Sequence, residues 1–214
     1  MPELLKPTFD EEKLLQAQGF RFIAGIDEVG RGALAGPVAA GAVILPLGIR
    51  ASWLKNVRDS KQLTPERREE LSDKIHKVAI SIGIGFVTSE MIDKRGIAKC
   101  TQIAMRDALK QLSPPADTIL IDYFRLPGAK VPQKGVPDGD SLCISIACAS
   151  IVAKVARDRL MSDFDTDYNG YGFANNKGYG TEEHLAGLKR LGPCPIHRRS
   201  YAPVLESCQQ TAGD

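Results

Sequence analysis

Four carboxylates in this 214-residue sequence are placed where a fold can present side chains to a cleft. Asp27 and Glu28 close an apolar run and lead into a glycine-rich turn, in "AGIDEVGRGALAGPVAAGAVIL". Asp122 ends the short apolar run "TILID", and Asp140 precedes a long helical pattern beginning at residue 141. Adjacent carboxylates repel, and burying either one without a partner is costly. Divalent cations resolve that conflict. Carboxylate oxygens suit the hard ions Mg²⁺ and Mn²⁺, which also accept phosphate oxygens and water. Two such ions about 4 Å apart activate a water and stabilise a leaving oxygen in phosphodiester hydrolysis. Each acid also has a plainer reading: Asp140 as a helix cap and Asp122 as a turn former. Residue chemistry alone leaves the metal site and those structural roles both open. In a regular strand, residues 27 and 28 point to opposite faces, so a shared site requires the strand to bend or end there.

The elements that must position these groups follow from periodicity and punctuation. A short helix is expected over 8–20, a strand over 21–28 and a second, antiparallel strand over 37–45. Thr64 and Pro65 start a helix that runs to about residue 79, followed by a strand over 79–88. Ile97, Cys100, Ala104, Ala108 and Leu112 form one apolar helical face. Residues 118–122 read as a central strand and 125–140 as a loop, by their Pro and Gly content. A single long helix is expected over 141–165, with Asp140 in its N-cap position. A loop over 169–180 leads to a helix capped by Thr181 and stopped by Gly192. The tail after it is expected to be extended, and residues 205–214 frayed. One α/β or α+β domain spans 1–214.

Composition restricts the function classes. A chain 43% hydrophobic and 25% charged is ordinary globular material, and a net charge of +2 is too small to mark a nucleic-acid binder by bulk charge. Five cysteines with no CxxC pair indicate reduced thiols, and His76, His184 and His197 supply no zinc-ligand cluster. The apolar run over 143–153 is far shorter than the ~20 residues of a membrane span. A cytoplasmic monomer without a membrane segment is expected. The P-loop pattern GxxxxGK[ST] is absent.

The motifs together resemble the bacterial ribonuclease HII family. "GIDEVGRGALAGPVAAGAVIL", "RDSKQL", "GDSLCISIACASIVAKVARD" and "NKGYGTEEHLAGLKRLGPCPIHRRSYAPV" occur in that family's order. The resemblance implies an RNase H-like fold: a five-stranded mixed sheet flanked by helices, with a catalytic core over about 20–165 and a helical, substrate-binding C-terminal part over about 166–204. It implies endonucleolytic cleavage of RNA in RNA–DNA hybrids, including a single ribonucleotide embedded in duplex DNA. Cleavage lies 5′ of the ribonucleotide, leaves 3′-hydroxyl and 5′-phosphate ends, and depends on Mn²⁺ or Mg²⁺. By position, Asp27, Glu28, Asp122 and Asp140 match the catalytic, metal-binding carboxylates. Gly30, Arg31 and Gly32 match the turn that contacts the 2′-hydroxyl and adjacent phosphate through backbone N–H and C=O groups. Tyr179 matches the tyrosine stacked on the following deoxyribose, and Lys61 a phosphate contact. Lys177, Lys189, Arg190, Arg198 and Arg199 are expected to add backbone attraction, Arg157 and Asp158 to be structural, and Tyr168, Tyr171 and Tyr201 to be packing residues. The sequence departs from the family pattern at Asp138, where many members have lysine, and after Asp122, where "YF" replaces a common glycine. A non-catalytic nucleic-acid-binding module on the same fold is the alternative.

Overall fold

The computed structural model describes residues 6–122 and 125–210, with Gln209 and Gln210 described as backbone only. Five strands, β1 (Ile23–Val29), β2 (Val38–Ile44), β3 (Ser81–Val87), β4 (Thr118–Asp122) and β5 (Gln133–Val136), form one sheet in the order β3-β2-β1-β4-β5. The β3-β2-β1 half is antiparallel, whereas β1–β4 and β4–β5 are parallel. Nine α-helices are described: α1 (Asp10–Ala17), α2 (Pro65–Val78), α3 (Ser89–Arg95), α4 (Ile97–Lys110), α5 (Gly139–Leu142), α6 (Ile144–Asp167), α7 (Phe173–Asn176), α8 (Glu182–Leu191) and α9 (Ala202–Gln210).

Both faces of the sheet are covered, which is why β2 is buried at every position and carries no polar alternation. On one face, Ala24, Ile26, Ala40, Ala42, Ile119 and Ile121 pack against Cys100, Ala104, Met105 and Ala108 of α4. On the other, Val43 packs with Ala147, Cys148 and Ile151 of α6 and with Leu71 and Ile75 of α2. Thr64 and Thr181 accept hydrogen bonds from Arg67 N–H and His184 N–H, as their N-cap positions predict.

Four expectations are corrected. The loop expected over 125–140 contains β5, a parallel edge strand that buries only Val136, so its pattern carries no hydrophobic signal. The single helix expected over 141–165 is broken at Cys143, which is extended (φ −120°, ψ 124°). The chain ahead of α1 causes the break: Thr8 N–H donates to Leu142 O, and Ile144 N–H donates to Thr8 O. Glu12 then caps α6, accepting from Ser145 N–H at 2.8 Å. The residues expected to fray from 205 onward continue helix α9 as far as Gln210, anchored by buried Val204 against Leu34 and Leu188; residues 211–214 lie outside the described residues. Strand β1 does not end before Glu28, because its ladder with β2 continues to Val29 opposite Ala39; the Glu28 charge nonetheless acts on both Asp27 and Asp122, so Glu28 shares the site without the strand ending there. Among the described residues no helix is long and apolar enough to cross a membrane.

Candidate active site

Asp27 and Asp122 come from neighbouring parallel strands. The β1–β4 ladder ends at Ile26 opposite Ile121, so both aspartates stand at the same, carboxyl end of their strands. Gly25, two residues before Asp27, and Gly41, its partner on β2, lie beneath α6. A methyl group at Gly25 would overlap the Ser145 backbone, and one at Gly41 the Ala149 carbonyl. Helix α6 therefore lies low on the sheet, and Ser150 favours the ionised form of the Asp27 carboxylate. The Ser150 hydroxyl is also 2.9 Å from that of Ser60, which ties the "DSK" turn to the same point.

Asp27 is only 5% exposed. Burial pushes its carboxyl well above the usual range, the Glu28 and Asp122 charges add to the shift, and Ser150 opposes it. Burial likewise raises Asp122, although its Oδ1 accepts Gly139 N–H at 2.7 Å. Asp140 is raised by burial and then by Asp59, while Lys61, with Nζ 3.7 Å from Asp140 Oδ2, lowers it. The Lys61 ammonium is favoured by Asp59, Asp140, Asp27 and Asp122, which together outweigh the opposing effect of burial. Glu28 accepts from Arg31 at 3.0 Å.

Two expectations about Asp140 change here. It does not cap the long helix: it lies inside the single turn α5, after Asp138, whose φ of 55° is a left-handed conformation that aspartate tolerates. The extra negative charge of Asp138 acts on Asp122. Tyr123 and Phe124, the other departure, lie outside the described residues. Asp59 is a fifth carboxylate that the sequence reading did not single out. It accepts Lys61 N–H at 3.0 Å, and its charge helps to raise Asp140.

This donor set fits hard divalent cations. It offers oxygen ligands only, it includes two acids at most 8% exposed, and Lys61 and Arg31 neutralise it only in part. Among the described residues no three His, Cys, Asp or Glu side chains close around one point. Such an open arrangement matches the habit of Mg²⁺, which takes one or two carboxylates and fills its remaining positions with water and substrate phosphate oxygens.

The two loops beside the carboxylates are held by buried arginines. Arg198 is fully buried and donates to Gly30 O at 2.7 Å, Arg31 O at 2.8 Å and Gly36 O at 3.0 Å. Arg157, also fully buried, donates to Pro37 O at 2.9 Å, Ala35 O at 3.1 Å and Lys177 O at 2.9 Å. Gly30 has φ +86°, and a side chain there would strike the Arg157 guanidinium, so only glycine fits. Arg198 is thus a framework residue and not the surface phosphate contact expected from the sequence. Its forks occupy the Gly30 and Arg31 carbonyls, while the N–H groups of Arg31 and Gly32 have no protein acceptor among the described residues. Tyr201 is likewise more than packing, since its hydroxyl donates to Arg31 O at 2.7 Å.

Tyr179 follows Gly178, whose carbonyl accepts from Leu34 N–H at 2.7 Å and Ala35 N–H at 3.2 Å, so the tyrosine loop is laced to the Gly30–Gly32 turn. Its ring lies near Lys154 and Arg157, with cationic groups 5.7 and 5.6 Å from its centroid. A cavity of about 530 Å³ joins these groups and is lined by Glu28, Arg31, Lys61, Ser150, Lys154 and Tyr179. Asp158 is structural as expected, but it pairs with Arg68 at 3.2 Å and Lys154 at 2.7 Å and not with Arg157. Lys177 donates to Ser162, Lys189, Arg190 and Arg199 are exposed, and Tyr171 stacks on Phe173.

The family model described as Ribonuclease HII matches residues 24–204. The chain belongs to the ribonuclease HII family. A ribonuclease HII of Dehalococcoides mccartyi is 54% identical over 198 residues, covering 92% of this chain and 93% of its own. The ribonuclease H2 of Pyrococcus horikoshii OT3 superposes with a TM-score of 0.75 at 24% identity, covering 90% of this chain and 99% of that one. Bst-RNase HIII, solved in complex with Mn²⁺, superposes with a TM-score of 0.68 at 18% identity, covering 91% and 71%. These two likenesses carry the RNase H-like fold. Membership in the ribonuclease HII family makes the chain an endonuclease of the ribonuclease H class and a metal-dependent hydrolase, which removes the non-catalytic alternative.

Proposed function

We propose that this ribonuclease HII cleaves the RNA strand of RNA–DNA hybrids and single ribonucleotides embedded in duplex DNA, 5′ of the ribonucleotide, leaving 3′-hydroxyl and 5′-phosphate ends. The observation that carries this reading is the placement of Asp27 and Asp122 at one end of two parallel strands, beside Glu28, Asp140 and the Arg157- and Arg198-held loops. Asp27, Glu28, Asp122 and Asp140 would hold two Mn²⁺ or Mg²⁺ ions; when bound, these ions would supply activation of a water and neutralisation of the charge developing on phosphate. Lys61 stands over Asp140, where it meets a backbone phosphate.

The N–H groups of Arg31 and Gly32 are free to donate to a 2′-hydroxyl, the one group that distinguishes ribose from deoxyribose at every position. The Arg31 carbonyl is filled by Arg198 and the Tyr201 hydroxyl, and the Gly30 carbonyl by Arg198 and the Ala33 N–H, so the turn offers that hydroxyl its N–H groups. Tyr179, at the other side of the cavity, stacks on the next sugar, where a missing 2′-hydroxyl favours the ring.

The test is cleavage of a duplex carrying one ribonucleotide, with Mn²⁺, with Mg²⁺ and with chelator. We expect cleavage with either ion and none with chelator. The Asp27→Asn variant is expected to bind the duplex and leave it uncut; normal cleavage by that variant would refute the two-ion assignment.

A further inference from the structure

His184 and His197 belong to no part of the chemistry above, yet they are buried and face each other beneath Tyr179. His184 is on the first turn of α8; His197 lies in the segment that runs beside residues 34–36 and pairs with Ala35. Their Nε2 atoms are 3.0 Å apart. His184 Nδ1 is 2.9 Å from the Tyr179 carbonyl oxygen, and His197 Nδ1 is 3.0 Å from Cys194 N and 3.1 Å from Cys194 Sγ.

Only one proton arrangement satisfies all four distances with neutral rings. A carbonyl oxygen can only accept, so His184 Nδ1 carries hydrogen and donates to Tyr179. His184 Nε2 is then bare and accepts, so His197 Nε2 carries the hydrogen between the rings. His197 Nδ1 is then bare and accepts the Cys194 amide and thiol. A proton added to either ring sets two N–H groups head to head. The surroundings give such a cation little help. Tyr171 and Phe173 rings pack on the pair, the Tyr171 hydroxyl is committed to Gly192 O, Glu183 lends His184 only partial support, and Arg199 opposes a charge on His197.

We propose that His184, locked in its Nδ1–H form by His197, is a positioning residue for Tyr179 and through it for recognition of the RNA-to-DNA junction. The role rests on the reading of Tyr179 given above. The carbonyl that His184 holds belongs to Tyr179 itself, and its other hydrogen bond, from Thr181 N–H at 2.8 Å, comes from the same loop. The His184–His197 pair therefore ties Tyr179 itself to the segment alongside the Gly30–Gly32 turn, in addition to the bonds that hold the neighbouring Gly178 and Lys177 carbonyls. The relay refines the spacing between the group that reads the 2′-hydroxyl and the ring that reads the next sugar.

Two measurements test this. In the intact wild-type protein, nitrogen-15 NMR of the imidazoles should show hydrogen on Nδ1 of His184 and on Nε2 of His197; the opposite pattern would overturn the relay. The second compares cleavage of a junction substrate with that of a continuous RNA strand in a hybrid. His184→Asn keeps an amide donor where Nδ1 stood and should hold the ratio within about twofold. His184→Gln places its amide where Nε2 stood, loses the Tyr179 bond, and should lower the ratio roughly tenfold through KM on the junction substrate. It should cause no further loss in a Tyr179→Ala background, because both changes act on one element. A ratio unmoved by His184→Gln while Tyr179→Ala lowers it would refute the positioning role and leave Tyr179 intact. A ratio unmoved by Tyr179→Ala would overturn the assignment of Tyr179 and, with it, this role.

Discussion

Replacing Arg198 by lysine separates a framework arginine from a phosphate-binding one. The guanidinium spans three backbone carbonyls, of Gly30, Arg31 and Gly36, from a site with no exposed surface. A lysine ammonium keeps the charge but cannot span that fork, and retains about one of the three bonds. The Arg31 carbonyl still has the Tyr201 hydroxyl at 2.7 Å, so the loss falls on Gly30, which keeps only a long bond from Ala33 N–H at 3.4 Å, and on Gly36. Losing the guanidinium from these two carbonyls costs about 1–1.5 kcal/mol each, or roughly 2–3 kcal/mol together. For a domain of this size that lowers Tm by about 5–10 °C. The Gly30–Gly32 turn loosens with it, and a misplacement near 1 Å costs on the order of a hundredfold in rate. The assay is thermal unfolding beside kcat/KM on a single-ribonucleotide duplex across a salt series. The expected result is a lower Tm, lower kcat/KM and an unchanged salt slope. An unchanged Tm with a shallower salt slope would show that Arg198 meets phosphate, and would refute the structural reading.

Three further outcomes follow from burial and charge. Asp27→Asn should raise Tm in chelator by roughly 2–4 °C, since the folded pKa of Asp27 is raised and its ionised form destabilises the fold; for the same reason the advantage of the variant over metal-free wild type should shrink as pH falls through the raised Asp27 pKa towards its ordinary value of 3.8, and calorimetry of both proteins in chelator checks this. His197 has its pKa lowered to about 4 by burial and by His184, so its contribution is present above its unfolded value near 6.5 and is lost as pH falls from there to about 4, by up to about 3 kcal/mol; urea midpoints over that range measure it, and His197→Phe should flatten the dependence. Gly25→Ala should destabilise by about 3 kcal/mol or more, because the methyl meets the Ser145 backbone, which cannot move without lifting α6 from the sheet; a shift in unfolding midpoint below about 1 kcal/mol would contradict that packing.

The sequence by itself determined the parts that local chemistry specifies. Caps at Thr64 and Thr181, the apolar face of α4, and the uninterrupted burial of β2 all have signals within a few residues, because turns, caps and periodicity are properties of neighbours along the chain. The carboxylates Asp27, Glu28, Asp122 and Asp140 were legible as strand-end and helix-start acids, and the ordered motifs sufficed to place the chain in its family. What only the tertiary structure decided depends on groups far apart in sequence. β5 exists because β4 offers a parallel edge, not because "QKGV" is apolar. The helix after Asp140 breaks because Thr8 inserts its backbone at Cys143. Arg198 looks like a surface cation in "HRRSY", and nothing nearby distinguishes it from Arg199. Burial under the Gly30–Gly36 carbonyls makes it a scaffold, because a guanidinium taken out of water must find acceptors, and three of those it finds are backbone carbonyls about 160 residues away in the chain. The same physics pairs His184 with His197. A sequence shows which residues can carry a charge or a proton; only the fold shows which of them are kept from water, and so which must have a partner.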